Sequence, residues 1–129
     1  MSDPDKTTLA LDAHGGDQGL AVSVPAALSA LAVDERLDLL LVGDGAGLDS
    51  ALEETLGAMP RRDRTAGEGA ATRIRIEHAD SVIAMDAKPA AVLRRGRDSS
   101  MWRAFELVAA GQADACVSGG NTAAMMMIG

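Results

Sequence analysis

The stretch LDLLLVGDGAG, residues 37–47, constrains the fold more than any other part of the chain. A strand with one wet face alternates apolar and polar side chains. This one is apolar almost throughout before its glycines, so both of its faces need cover. Cover on both faces belongs to a parallel sheet with helices packed above and below it. The glycines then mark the turn out of the strand.

The other segments alternate as such a sheet requires. TLALDA, residues 8–13, reads as a buried strand running into the glycine loop HGGDQG. Val24, Leu28 and Leu31 fall on one helical face, with Pro25 expected in the first turn. Leu48, Leu52 and Leu56 give a second helical stripe, with Gly57 near its end. Residues 59–72, MPRRDRTAGEGAAT, have the proline, glycines and mixed charge of a surface loop. RIRIEHA alternates, as a strand with a solvated face or a place near a sheet edge would. A short helix is expected from Pro89 to Gly96. DSSMWRAFELVAAG reads as the clearest helix, capped by Asp98 or Ser99, striped by Met101, Phe105 and Val108, and closed at Gly111. DACVSGG is a fourth strand, followed by the opening of an apolar helix.

This order predicts an α/β fold, a mostly parallel sheet with helices on both faces, over residues 1–129 as a single domain part. Ligands in such folds sit beyond the carboxyl ends of the strands. Aromatic residues are 2% of the chain, so the core must be built from Leu, Val, Ile, Ala and Met. The net charge of −7 argues against broad binding to nucleic acid or to an anionic membrane, though not against a local basic pocket. Cys116 is the only cysteine, which precludes an internal disulfide and fits a reducing cytoplasm. The polar start MSDPDKTT is not expected to act as a secretion signal.

Four stretches could carry chemistry. In DAHGGDQG, Gly15 and Gly16 would let backbone approach a ligand, flanked by Asp12 and Asp17; a tight turn is the plainer reading. His14 could act as an acid, base or phosphate donor, or be merely exposed. In DAKPAAVLRRGRDSSM, Lys88, Arg94, Arg95 and Arg97 precede a helix N-terminus carrying Ser99 and Ser100. Cations, hydroxyls and helix N–H groups together make a phosphate cradle; alternatively the serines only cap and the arginines are solvated. In SGGNTAAMMM, Ser118, Asn121 and Thr122 stand at another helix opening, where an oxyanion could be held. VGDGAG does not satisfy the dinucleotide glycine pattern and reads as a strand-to-helix turn. Cys116 reads as a buried structural thiol, and no Cys/His spacing suggests a metal site.

Taken in order, LDAHGGDQG, VPAAL, LLLVGD, MDAKPAAVLRRGRDSSM and ADACVSGGNTAA resemble the N-terminal part of the bacterial phosphate acyltransferases of phospholipid synthesis. That family usually has Met where His14 stands, reads SAGNTGA where this chain has Gly119 and Ala123, and often has a lysine near Gly96. The resemblance implies a fold like phosphotransacetylases and isopropylmalate dehydrogenases, of which this chain would be the part before an absent C-terminal side. It implies transfer of a fatty acyl group from acyl carrier protein to inorganic phosphate, without cofactor, metal or nucleic acid, by a homodimer when complete. The acyl phosphate would feed glycerol-3-phosphate acylation, so a cytoplasmic protein with peripheral contact to that membrane enzyme is implied. Lys88 and Asn121 are then the expected catalytic residues. Asp12, Gly15, Gly16, Asp17, Arg97, Ser99, Ser100, Ser118 and Thr122 are the expected substrate-binding ones. The isolated chain is expected to be inactive and to associate through its methionines. A non-catalytic truncated copy, binding phosphate or a partner, is the competing reading. A nucleotide- or coenzyme-A-binding domain is a weaker third.

Overall fold

The computed structural model describes residues 5–14, 19–83, 87–88, 90–92 and 96–119. In chain order the elements are β1 (Thr7–Asp12), α1 (Leu20–Val33), β2 (Leu37–Gly43), α2 (Gly45–Ala58), α3 (Arg61–Ala71), β3 (Ile74–His78), a 3-10 turn (Gly96–Asp98), α4 (Ser100–Ala109) and β4 (Ala115–Val117). The described strands form one sheet in the order β3-β2-β1-β4, with every pairing parallel. The α/β reading of the sequence therefore holds.

The apolar run of β2 is explained by its place inside the sheet. Side chains alternate between faces along a strand. Leu39 and Leu41 join Leu9 and Leu11 in a core shared with α1, α2 and α3. Leu40 and Val42 join Ala10 in a second core on the opposite face, where Ala104 and Leu107 of α4 cover them. Helices thus lie on both faces. Ala10 supplies little volume, which lets α4 sit close to the centre of the sheet.

The expected stripes are seen in α1, where Val24, Leu28 and Leu31 are buried together with Ala27. Pro25, expected in the first turn, stands inside the helix, because α1 starts as early as Leu20. There it leaves the carbonyl of Ala21 without its helical donor. In α4 the buried residues are Ser100, Met101, Ala104 and Leu107, so the face is rotated from the expected Met101, Phe105 and Val108. Phe105 packs partly buried beside Met101 and Val92, and Val108 borders the second core. Gly111 closes the helix with φ 79°, in the left-handed region that suits glycine.

Residues 59–72 correct the sequence reading. They are not a loop, since α3 occupies residues 61–71. Pro60 is its N-cap residue and Asp63 lies in its first turn, where a negative charge suits the helix dipole. Its contact with the core runs through small residues, Gly67 and Ala70. A Cβ on Gly67 would lie 2.6 Å from the Met59 sulfur, so this glycine permits close packing of α3 on the end of α2.

β3 is an edge strand of the described sheet, as its alternation suggested. Ile74 and Ile76 pack against the first core. On the other face, Glu77 accepts hydrogen bonds from Arg75 (3.2 Å) and from Arg103 of α4 (3.3 Å). Of the short helix expected from Pro89 to Gly96, only residues 90–92 are described as helical. Residues 15–18 of the glycine loop after β1, and the helix opening after β4, lie outside the described residues.

Candidate functional site

Three chain segments meet at the carboxyl edge of the sheet. β1 delivers Asp12, β4 delivers Ser118 just past its end, and the N-terminus of α4 delivers Ser100. Asp12 is only 3% exposed. Its Oδ1 accepts from the Ser100 hydroxyl at 2.5 Å and from the His14 backbone N–H at 3.3 Å. Its Oδ2 accepts from the Ser118 hydroxyl at 2.7 Å. Among the described residues Asp12 forms no ion pair, so hydroxyl and amide dipoles carry the compensation for its burial. The carboxylate latches together segments 88 and 106 residues apart in sequence.

This geometry separates the expected site residues into groups. Asp12, Ser100 and Ser118 come together. Ser100 is 0% exposed and its N–H donates to the Ser81 carbonyl, so both its polar groups face protein. Ser99 is 1% exposed; its hydroxyl accepts from the Trp102 N–H and donates to the Gly96 carbonyl, which is the capping role. Arg97 and Lys88 are exposed. The Arg97 guanidinium lies 5.7 Å from the centre of the Trp102 ring. Gly15, Gly16, Asp17, Asn121 and Thr122 fall outside the described residues.

Three backbone donors at the α2 N-terminus, those of Asp44, Gly45 and Gly47, are bonded to side chains. The Asp44 N–H donates to His14 Nε2 at 2.9 Å, and the Gly45 N–H donates to His78 Nδ1 at 3.0 Å. The Asp44 side chain accepts from the Gly47 N–H. VGDG is therefore a strand-to-helix turn, sealed by two imidazoles where a dinucleotide fold would present amides to a phosphate. His14 serves here as an acceptor from backbone. It also rests against Gly43, where a Cβ would meet the ring at 2.5 Å.

Cys116 is half-buried, less enclosed than expected. Burial pushes its thiol above the ordinary range, and the nearby Asp12 carboxylate adds to the rise. A thiol so placed stays protonated near neutrality and is a poor nucleophile. Because the folded state holds that proton more tightly, its contribution to stability is complete below the usual thiol range and is lost as pH climbs through the raised value. Iodoacetamide should alkylate Cys116 more slowly at pH 8 than a small free thiol. Asp12→Asn should speed the reaction modestly. Labelling as fast as the free thiol would overturn this.

Sequence reasoning missed Ser81, which follows β3 by three residues. Ser81 and Ser99 form a parallel bridge, with the Ser81 N–H donating to the Asp98 carbonyl. This strap fixes the entry to α4 beside the Asp12 latch. Beside it opens a cleft of about 140 Å³, lined by Ser81, Val82, Ile83, Ala87, Ala91, Val92 and Gly96. A larger cleft, of about 320 Å³ between Thr8, Asp38, Arg73 and Gln112, lies at the opposite edge of the sheet, remote from Asp12.

Residues 7–129 match the family described as fatty acid synthesis protein. The chain is similar to the phosphate acyltransferase of Methylococcus capsulatus, with 48% identity over 95% of this chain and 33% of that protein. It is similar to the phosphate acyltransferase of Vibrio atlanticus, with 46% identity over 94% of this chain and 32% of that protein. The corresponding protein of Saccharophagus degradans is 44% identical over 94% of this chain and 32% of its own length. The chain thus spans about a third of the curated relatives it matches.

Proposed function

We propose that this chain, which belongs to the fatty acid synthesis protein family, forms the N-terminal part of an acyltransferase that moves a fatty acyl group from acyl carrier protein to inorganic phosphate. One observation carries the reading. The segments that supply the strand-end latch, and the exposed Lys88 and Arg97, all lie within residues 7–129, which match the family, and the chain is similar to phosphate acyltransferases over 94–95% of its length. In the reaction, an oxygen of hydrogen phosphate attacks the thioester carbonyl carbon and the carbon–sulfur bond breaks. The phosphate proton ends on the departing thiol, giving acyl phosphate and free acyl carrier protein thiol.

That chemistry asks chiefly for position and charge compensation. Lys88 and Arg97 would attract the phosphate. Asp12, through Ser118, would set the direction of the chain leaving β4 toward Asn121 and Thr122. Asn121 would stabilise the oxyanion, and Gly15, Gly16 and Asp17 would border the phosphate. Acyl carrier protein, phosphate and a second copy of the complete protein are the proposed partners. Among the described residues no helix is long and apolar enough to cross a membrane.

A chimera tests the reading. Residues 9–129 would replace the matching third of the Vibrio cholerae phosphate acyltransferase, to which this chain is 46% identical. The chimera should form acyl phosphate from acyl-acyl carrier protein, dependent on added phosphate, and Cys116→Ser should leave that rate unchanged. A folded chimera that makes no acyl phosphate, beside an active parent, would refute it.

A further inference from the structure

The cleft beside Ser81 has a composition unlike the rest of the carboxyl edge. Val82, Ile83, Ala87, Ala91 and Val92 present only aliphatic carbon, and Val82 at its mouth is 49% exposed. Gly96 keeps one wall back, since a Cβ there would lie 3.3 Å from Val92 Cγ1 and 3.6 Å from Ile83 Cδ1. Two cations neighbour the lining in sequence: Lys88 follows Ala87, and Arg97 follows Gly96, both exposed. Asp98, next in the chain, is exposed as well and carries the opposite charge. Through the Ser81–Ser99 bridge, the cleft is one residue from Ser100 and hence from Asp12. Aliphatic walls, with exposed cations next to them in the chain, suit a ligand with an alkyl chain and an anionic end. The 540 Å³ cleft between α1 and α2 carries a carboxylate, Glu54, in its lining.

We propose that the cleft beside Ser81 and Gly96 holds part of the alkyl chain of the acyl group, with the phosphate end of the acyl phosphate product toward Lys88 and Arg97. The assignment rests on the acyltransferase reading for the identity of the chain, and on the cleft for its place. Within reach of the walls, each further methylene buried should tighten binding about fourfold. Beyond the length that fills the cleft, affinity should level off.

Trp102 provides the readout. It is the only tryptophan, and its Cε3 would lie 3.5 Å from a Cβ on Gly96. ω-Bromoalkanoic acids of about four to eleven carbons, kept below micelle formation, should quench its fluorescence saturably, with the rise and plateau in affinity described. Ala91→Phe should abolish the quenching by filling the cleft. Val82→Asp, at a half-exposed site where folding tolerates charge, should weaken it at least tenfold. Absence of saturable quenching, affinity independent of chain length, or an unchanged Val82→Asp variant would each overturn the proposal. Quenching in a chain whose chimera transfers no acyl group would remove the acyltransferase reading and leave the cleft standing. Transfer without quenching would do the reverse.

Discussion

Asp12→Ala is expected to destabilise the protein by about 3 kcal/mol in urea unfolding. The carboxylate accepts from two hydroxyls and one backbone N–H, and all three lose their acceptor in the variant. A charge-assisted bond of this kind contributes about 1.5–3 kcal/mol. Relief of the buried charge offsets part of the sum, because holding a carboxylate out of water is itself costly. The loss should still win, since Ser100, one of the three donors, is completely buried and water cannot replace its acceptor. Asp12→Asn keeps the shape and one acceptor oxygen, so about 1 kcal/mol is expected. A double-mutant cycle with Ser100→Ala should give a coupling of at least about 1 kcal/mol. Equal urea midpoints for Asp12→Ala and the parent would show that the latch holds nothing.

Arg73→Ala is the second large effect, at about 2 kcal/mol. Its guanidinium donates to three main-chain carbonyls: Leu31 near the end of α1, Asp34 after it at 2.8 Å, and Leu37 at the start of β2 at 2.9 Å. Helix C-terminal carbonyls lack intrahelical donors, and a cation there also suits the dipole. The side chain therefore closes α1 and pins the α1–β2 turn to β3. Its estimated effect is smaller than that of Asp12 because Arg73 is partly exposed and water can replace it at some carbonyls. Arg73→Lys should recover under half of the loss, because an ammonium is a compact charge and cannot spread over three acceptors as the guanidinium does. Full recovery by lysine, judged by urea midpoints, would reduce the role to charge alone.

Where a side-chain pattern is local, the sequence revealed the structure. The nearly continuous apolar run of β2, the α1 stripe and the serine cap of α4 depend on neighbours within a turn or a strand, and each is found where expected. α3 was hidden because Gly67 and Gly69 have the composition of a loop. Gly67 is there for close contact with Met59, a reason visible only once α2 and α3 are packed. The start of α1 was hidden because Gly19 and Leu20 lie in what reads as the loop's tail, which misplaced Pro25 in the helix. At the site, residue types were legible and their tasks were not. Ser99 and Ser100 are adjacent in sequence, yet one caps a helix and the other binds a carboxylate 88 positions earlier. Which hydroxyl faces which partner depends on the pairing of β1 with β4 and on the strap through Ser81.

The position of β1 in the sheet also shapes how the chain folds. Its first partner, β2, follows within a few tens of residues, whereas its other partner, β4, begins at Ala115. Closing so long a loop costs chain entropy before any pairing rewards it, and topologies of this kind fold slowly. The β1–β2–β3 layer with α1, α2 and α3 can assemble early, as a unit with its own apolar core. Until β4 arrives, one edge of β1 stays open, and Asp12 waits without the Ser118 hydroxyl. Synthesis from the N-terminus would prolong that interval, since β4 is made after the other described strands. The half-assembled sheet then presents an unpaired strand edge, the feature that invites wrong pairing between chains. A charged carboxylate at the end of that edge disfavours burial against another copy, so Asp12 guards the open strand before it latches the finished one.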